Sequence, residues 1–240
     1  MSRKALIVWG GWDGHEPDKV ARIFSDILTG SGFEVEISDS LDSLKDAAKL
    51  RQLHLIVPIW TMGKIDEQCA IAVSDAVADG TGIAGCHGGM CDAFRENVLW
   101  QFITGGNWVS HPGGDGVEFT VNVRDGNGSL LSGIKDFTVK TEHYYLHVDP
   151  AVKVHATTRF PVVRWFHSTN GDVDMPVVWT KYWGWGRVFY SSLGHHADVF
   201  DQKEPFEIMK RGLLWAAEGK DEALAKGLSA DSFQSDKKIF

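Results

Sequence analysis

The stretch Gly82-Ile83-Ala84-Gly85-Cys86-His87-Gly88-Gly89-Met90 reads as a short buried strand that breaks into a glycine-rich turn and then opens a helix. In an open α/β sheet, such a turn raises one side chain at the carboxyl end of a strand, where these sheets build their sites. Many enzymes place a nucleophilic Ser or Cys there. This chain has His87, so the platform for nucleophilic chemistry is present and the nucleophile is absent.

The flanking sequence extends the same reading. Residues 4–10 (KALIVWG) are a continuous apolar run, the pattern of a strand buried on both faces. After the loop Gly10-Gly11-Trp12-Asp13-Gly14-His15, Glu16 and Pro17 suit the first turn of a helix. Val20, Ile23, Phe24, Ile27 and Leu28 give that helix an apolar face, and Gly30 and Gly32 end it. Phe33 to Ile37 alternates as a second strand, and Leu53 to Trp60 is a third. Residues 66–79 form a helix that leads into the 82–86 strand. Strands alternating with helices predict βαβ units and a mostly parallel sheet. Right-handed crossovers put the loops after residues 10, 60 and 87 along one edge, so Trp9, Trp12, His15, Trp60 and His87 are expected to line one crevice.

The second half is richer in strands. Residues 105–128 are glycine-rich with few helix signals. Glu118 to Val123 alternates as a strand and leads into the turn Asp125-Gly126-Asn127-Gly128. Strands are also expected at Phe137 to Val139, Val152 to Ala156, Val177 to Thr180 and Arg187 to Ser191. A final helix covers residues 204–217, and the polar segment 219–240 is expected to be a loosely held tail. Neither an internal repeat nor a linker divides residues 1–218, which read as one domain.

The composition narrows the function classes. The net charge is −8 and no Lys/Arg cluster stands out, which argues against nucleic acid. No apolar run approaches the roughly 20 residues that span a bilayer, so no membrane role is expected. Met1-Ser2-Arg3-Lys4-Ala5 runs straight into the first strand without the features of a signal peptide. Cys69, Cys86 and Cys91 are odd in number and form no CxxC pair, as suits a reducing compartment. A cytoplasmic protein is the expectation. Ten Trp and ten His stand out. Most of the Trp fill core on the simplest reading, and Trp12 and Trp60 are candidates for stacking on sugar rings.

Four places carry residues suited to chemistry. His87 is a candidate acid/base, with a loop-holding hydrogen bond as the alternative. Cys86 points away from the side His87 faces and reads as a packed thiol. In Thr141-Glu142-His143-Tyr144-Tyr145-Leu146-His147, alternation sets Glu142 and Tyr144 on one face and His143, Tyr145 and His147 on the other. Glu142 and Tyr144 are the favoured functional pair. At Leu193-Gly194-His195-His196, His195 is expected at the loop edge of the sheet with His196 as its solvated neighbour. His111, in Ser110-His111-Pro112-Gly113-Gly114, is a further binding candidate, together with His15. His87, Glu142 and His195 are the candidates to hold Zn²⁺ or another divalent ion if one binds, although no HExxH is present. Without a P-loop or GxGxxG, nothing points to a nucleotide.

Taken in order, several pieces resemble the ThuA-like (trehalose-utilisation) proteins. They are Gly85-Cys86-His87-Gly88, Gly106 through His111-Pro112, Gly133-Ile134-Lys135-Asp136-Phe137 leading to Glu142-His143-Tyr144, and Pro176-Val177-Val178-Trp179-Thr180 running to Gly186-Arg187-Val188-Phe189-Tyr190 and Gly194-His195. One departure is Thr141, where the family often has Asp before the Glu. The resemblance covers about residues 4–217. It implies an α/β fold of three layers, a mostly parallel sheet flanked by helices, similar to class I glutamine amidotransferases and flavodoxin. In the amidotransferase domain the turn carries a Cys nucleophile, and here His87 occupies its place, which argues against a glutaminase. The resemblance further implies carbohydrate use, with a disaccharide or keto-sugar as the small-molecule partner. The leading expectation is acid/base chemistry by His87 and Glu142, with His195 orienting substrate or holding a metal. A catalytically silent sugar-binding module and a metal-dependent hydrolase are the alternatives, and a homo-oligomer is compatible with each.

Overall fold

A computed structural model of the chain describes residues 2–124 and 130–233. In chain order its strands and helices are β1 (Arg3–Gly11), α1 (Pro17–Gly30), β2 (Phe33–Ser38), α2 (Ala47–Leu50), β3 (Leu55–Thr61), α3 (Glu67–Ala78), β4 (Gly82–Cys86), α4 (Gly88–Cys91), α5 (Val98–Thr104), β5 (Gly106–Ser110), β6 (Val117–Val123), β7 (Phe137–Thr141), β8 (Tyr145–Val148), β9 (Lys153–Phe160), β10 (Val173–Trp183), β11 (Gly186–Ser191) and α6 (Lys203–Lys226).

Nine strands form one sheet in the order β2-β1-β3-β4-β11-β10-β9-β6-β7. The first five are parallel to one another. From β11 onward, through β10, β9, β6 and β7, every pairing is antiparallel. β5 and β8 pair as a separate antiparallel ribbon. The α/β class and the strand-rich second half are therefore as the sequence indicates.

Alternation within β1 explains the three layers. Ala5 and Ile7 face a core shared with Val20, Phe24 and Leu28 of α1 and Ile208, Met209 and Leu213 of α6. Leu6 and Val8 face the opposite core, with Val73, Ala76 and Val77 of α3 and Trp100 and Ile103 of α5. A strand covered on both sides has no solvent face to mark with polar residues, hence the continuous apolar run. Two of the many tryptophans, Trp100 and Trp179, are among the largest fully buried side chains.

Two of the expected helices differ in length, and α2, α5, β5 and β8 are additional to the expected elements. The last helix does not stop at residue 217. α6 continues to Lys226, burying Gly219, Lys220 and Ala223, and ends on Gly227 in the left-handed region. Lys220 Nζ donates to the carbonyl of Asp79 at 3.0 Å, and Trp185 Nε1 donates to that of Ser229 at 2.9 Å. The inward positions of this last stretch are a glycine, an alanine and a lysine stem, so composition alone conceals the packed face. Residues 234–240 of the expected tail and the Asp125–Gly128 turn lie outside the described residues. The helix expected after His87 is only the single turn α4, closed by Asp92 N–H on the carbonyl of Gly88. Among the described residues, no helix is long and apolar enough to cross a membrane.

Candidate functional site

The carboxyl ends of the parallel strands converge on His87. His15 follows β1, Thr61 ends β3, His87 follows β4, and Ser192 and His195 follow β11. This is where an open α/β sheet leaves a crevice. Glu142 comes from β7, at the far end of the sheet order, and reaches the crevice because Glu142–Tyr144 links the large sheet to the β5–β8 ribbon.

His87 occupies a strained elbow, with φ 47° and ψ −134°, a conformation that costs a non-glycine residue about 1–3 kcal/mol. Its surroundings fix it. The His87 N–H donates to the Ser191 carbonyl at 2.7 Å, and the Tyr190 hydroxyl donates to the His87 carbonyl at 3.0 Å. Nδ1 lies 2.8 Å from the Ser192 carbonyl. Tyr144 stacks on the ring, with centroids 3.8 Å apart.

A carbonyl only accepts, so Nδ1 of His87 carries the proton and a neutral ring presents its Nε2 lone pair outward. That lone pair faces Glu142 Oε2 at 3.2 Å. The same oxygen lies 3.2 Å from His195 Nδ1 and 4.0 Å from His15 Nε2, while Glu142 Oε1 lies 3.5 Å from His111 Nδ1. His15 Nδ1 is pinned 2.8 Å from Thr61 Oγ1. Three buried imidazoles thus aim one nitrogen each at a single buried carboxylate.

The electrostatics of this cluster oppose one another. Burial pushes the imidazole of His15 down to about 2, with His87 and His195 adding to the shift. Burial likewise lowers His87, against the pull of Glu142 and the Ser192 carbonyl. Burial resists ionisation of Glu142 too, but the His195 and His87 imidazoles beside it prevail and hold its carboxyl below the usual carboxylate range. A neutral His87, with Nδ1–H given to the Ser192 carbonyl, turns a lone pair toward the ionised carboxylate, and protonated rings would bury several positive charges together.

A divalent cation would relieve that conflict. Single donor atoms of His15, His87, Glu142 and His195 lie within 4.8 Å of one another. Donors about 2.0–2.2 Å from a common ion lie roughly 3.3–3.6 Å apart when tetrahedral, so the 3.2 Å approaches of His87 and His195 to Glu142 fit and His15 would draw inward. His195 Nδ1 is buried with no hydrogen-bond partner, as a ligand nitrogen would be without its ion. The cradle is also tight: a Cβ on Gly88 would fall 2.5 Å from His15 Cε1 and 2.9 Å from Thr61 Oγ1. Three imidazoles and one carboxylate suit Zn²⁺ or a neighbouring first-row divalent ion.

The other sequence candidates divide. Tyr144 reaches the site, and burial, then Asp92 and Glu142, raise its hydroxyl well above the ordinary value. His143 turns away, stacked between Phe119 and Phe160 at 4.2 and 4.0 Å. His147 is exposed. The alternation read across 141–147 thus places its side chains correctly, although residues 142–144 are not strand. Trp12, 46% exposed, stands at the mouth with its ring 4.7 Å from that of His15. Trp60 is elsewhere: a Cβ on Gly10 would fall 2.7 Å from its ring and one on Gly63 2.8 Å from its Nε1, so it lies against those two glycines. Thr61, its neighbour in β3, faces the cluster instead. Cys86 is buried, and burial pushes its thiol up to about 12, which is incompatible with a nucleophile at neutral pH.

Sequence reading did not single out Thr61, Ser192 or Asp115. Thr61 was within reach, since it follows the apolar run of β3 at the same sheet edge. Asp115, 3.9 Å from His195 Nε2 and 3.6 Å from His196 Nε2, sits in a glycine-rich loop with no local signal.

Comparison with known proteins agrees with the fold. No curated protein matches the chain. Among solved structures, a protein described as ThuA-like from Bacteroides uniformis superposes with a TM-score of 0.71 at 18% identity, covering 89% of this chain and 91% of that one. One so described from Parabacteroides merdae gives 0.69 at 18% identity, with 91% of each chain covered. A glutamine amidotransferase from Thermotoga maritima gives 0.51 at 12% identity, covering 97% of this chain and 88% of that one. At these identities the likeness shows the fold alone. The model of the ThuA family, described as trehalose utilisation, matches residues 4–216, and the chain belongs to that family.

Proposed function

We propose that this protein is a carbohydrate-utilisation enzyme acting on a disaccharide or keto-sugar, with His15, His87, Glu142 and His195 holding a divalent metal ion. The observation that carries the reading is the convergence of three imidazole nitrogens on Glu142 Oε2. A bound ion of this class would supply Lewis-acid polarisation of a sugar carbonyl or hydroxyl. Support for the sugar comes from the family description and from the partly exposed Trp12 ring at the mouth, a flat face that stacks on pyranose rings.

The chain's own residues divide the remaining work. His87 is 1% exposed with both nitrogens committed, so it holds rather than shuttles. His111, whose side chain is 39% exposed and whose Nδ1 faces Glu142 Oε1, is the imidazole placed to exchange a proton with bound substrate and solvent. Tyr144 closes the floor beneath His87. The buried, protonated Cys86 removes the thioester route.

The test is metal analysis of tag-free protein prepared without added metal, combined with a turnover screen of disaccharides and keto-sugars before and after chelation. The expected result is one divalent ion per chain, turnover lost on chelation and restored by the ion, and loss of both in His87→Ala with the fold intact. Metal-free protein with undiminished turnover would overturn the reading.

A further inference from the structure

The loop that joins β5 to β6 brings a second carboxylate to the same cluster. Ser110-His111-Pro112-Gly113-Gly114-Asp115-Gly116 turns sharply, with Gly114 N–H donating to the His111 carbonyl at 2.9 Å and with Gly113, Gly114 and Gly116 all at positive φ. These glycines let the chain double back, and Asp115 returns over His195. Its Oδ1 accepts the N–H of Gly116 at 2.7 Å, which orients the carboxylate. Oδ1 then lies 3.9 Å from His195 Nε2, and Oδ2 lies 3.6 Å from His196 Nε2.

His195 is therefore bracketed. Nδ1 faces Glu142, and Nε2 faces Asp115. The ring is 3% exposed. For Nδ1 to act as a ligand it must be the unprotonated nitrogen, and the proton must reside on Nε2. A carboxylate opposite Nε2–H secures that tautomer, stops the ring from turning over and raises the basicity of the ligating nitrogen. Asp115 stands where such a group is needed. Its side chain is about half exposed, so it has the freedom to close the remaining distance to a hydrogen bond. His196 is also half-exposed, and water can serve it instead. Among the described residues, the ion-pair contacts of Asp115 are with these two imidazoles alone.

On the metal reading above, we infer that Asp115 is a positioning residue that holds His195 as a ligand through its Nε2–H and thereby sets the affinity of the centre for its ion. Metal affinity is the direct readout. Zn²⁺ alone is titrated into chelator-stripped wild type, Asp115→Asn and Asp115→Glu in competition with a chromogenic chelator, with bound metal counted per chain. The expected result is one Zn²⁺ per chain in each protein. Affinity should be about 10–100-fold weaker in D115N and partly recovered in D115E, with metal-free melting temperatures within about 1 °C of one another, as for an exposed side chain.

Unchanged Zn²⁺ affinity in D115N, with wild type binding normally, overturns the inference and leaves the metal reading standing. Two ions in wild type and one in D115N also overturn it, because Asp115 would then be a ligand in its own right. No Zn²⁺ binding by wild type removes the metal reading and the inference together. A drop in metal-free melting temperature matching the loss of affinity would make Asp115 a structural residue and refute the positioning role.

Discussion

A single methyl group placed at Gly88 tests whether the cluster is a built cradle. The backbone there is not in the left-handed region, so alanine is conformationally allowed and the effect is steric. Its Cβ would lie 2.5 Å from His15 Cε1, 2.6 Å from His15 Nδ1 and 2.9 Å from Thr61 Oγ1, against about 3.5–4.0 Å for ordinary carbon contacts. The His15 ring must retreat by about 1 Å, which breaks its 2.8 Å bond to Thr61 and withdraws Nε2 from the other donors. Overpacking of this kind costs about 1–3 kcal/mol. At about 3 °C per kcal/mol for a chain of this length, the melting temperature falls by roughly 3–9 °C. Displacing one of four donors should also weaken Zn²⁺ at least about tenfold, since changes merely behind a ligand do as much. Calorimetry and chelator competition on Gly88→Ala measure the two effects separately. If G88A loses stability as expected but retains wild-type Zn²⁺ affinity, His15 is not part of a metal centre and the cradle argument fails.

Three other outcomes follow from the structure. All three cysteines are buried, with burial pushing Cys86 up to about 12 and Cys91 well above its ordinary value. At pH 8 a disulfide reagent should therefore titrate no thiol in native protein and three after denaturation, and one fast native thiol would reopen nucleophilic catalysis. Gly30→Ala, in the last turn of α1 with open space around its Cβ, should stabilise by about 0.5–1 kcal/mol through reduced freedom of the unfolded chain; a lower denaturation midpoint would contradict this. Burial lowers His54, whose Nδ1 accepts the Lys4 N–H at 3.2 Å. As pH falls below the ordinary 6.5, the unfolded ring gains a proton that the folded ring resists, so stability declines in that acid window, by at most about 1.4 kcal/mol per pH unit. His54→Gln should flatten that limb of the stability profile, and an unchanged limb would assign the acid sensitivity elsewhere.

The parallel half of the fold was legible because each of its strands announces itself. A strand buried on both faces carries a near-continuous apolar run, and residues 4–10, 53–60 and 82–86 all show that pattern. α5 was harder to see. It has seven residues, too few to show a helical period, and its clearest mark is a cap, Asn97 accepting the Trp100 N–H at 2.8 Å. α6 was cut short because its final buried positions are Gly219, Lys220 and Ala223, which no hydrophobicity pattern distinguishes from tail. The site shows the same division. His15, His87 and His195 follow strands in sequence, so the topology implied by βαβ repetition brings them to one edge. Glu142 was identifiable by its neighbours and by alternation, but its delivery to that edge depends on the link between two sheets. Asp115 depends on three backbone conformations of positive φ, and those become a place in space only once the loop is folded.

The elbow restricts what the His87 ring can do. An imidazole in that position is held at both ends: the Ser192 carbonyl fixes Nδ1–H, and the stacked Tyr144 fixes the plane of the ring. A proton carrier must exchange with solvent or substrate and change its hydrogen bonds as it does so. His87 is sealed, strained and locked into one tautomer, which suits a group that presents one lone pair in one direction. The strain of about 1–3 kcal/mol at the elbow is then sustained for the same reason as in enzymes with a nucleophile there, to aim a single atom out of the sheet. On the proposed metal reading, the atom aimed would be a nitrogen that coordinates in place of a sulfur that attacks. On the same reading the proton-exchanging residue would be the partly exposed His111, at the far side of Glu142. A large fall in kcat in His111→Gln, with Zn²⁺ affinity unchanged, would establish that separation of roles, and a wild-type kcat would refute it.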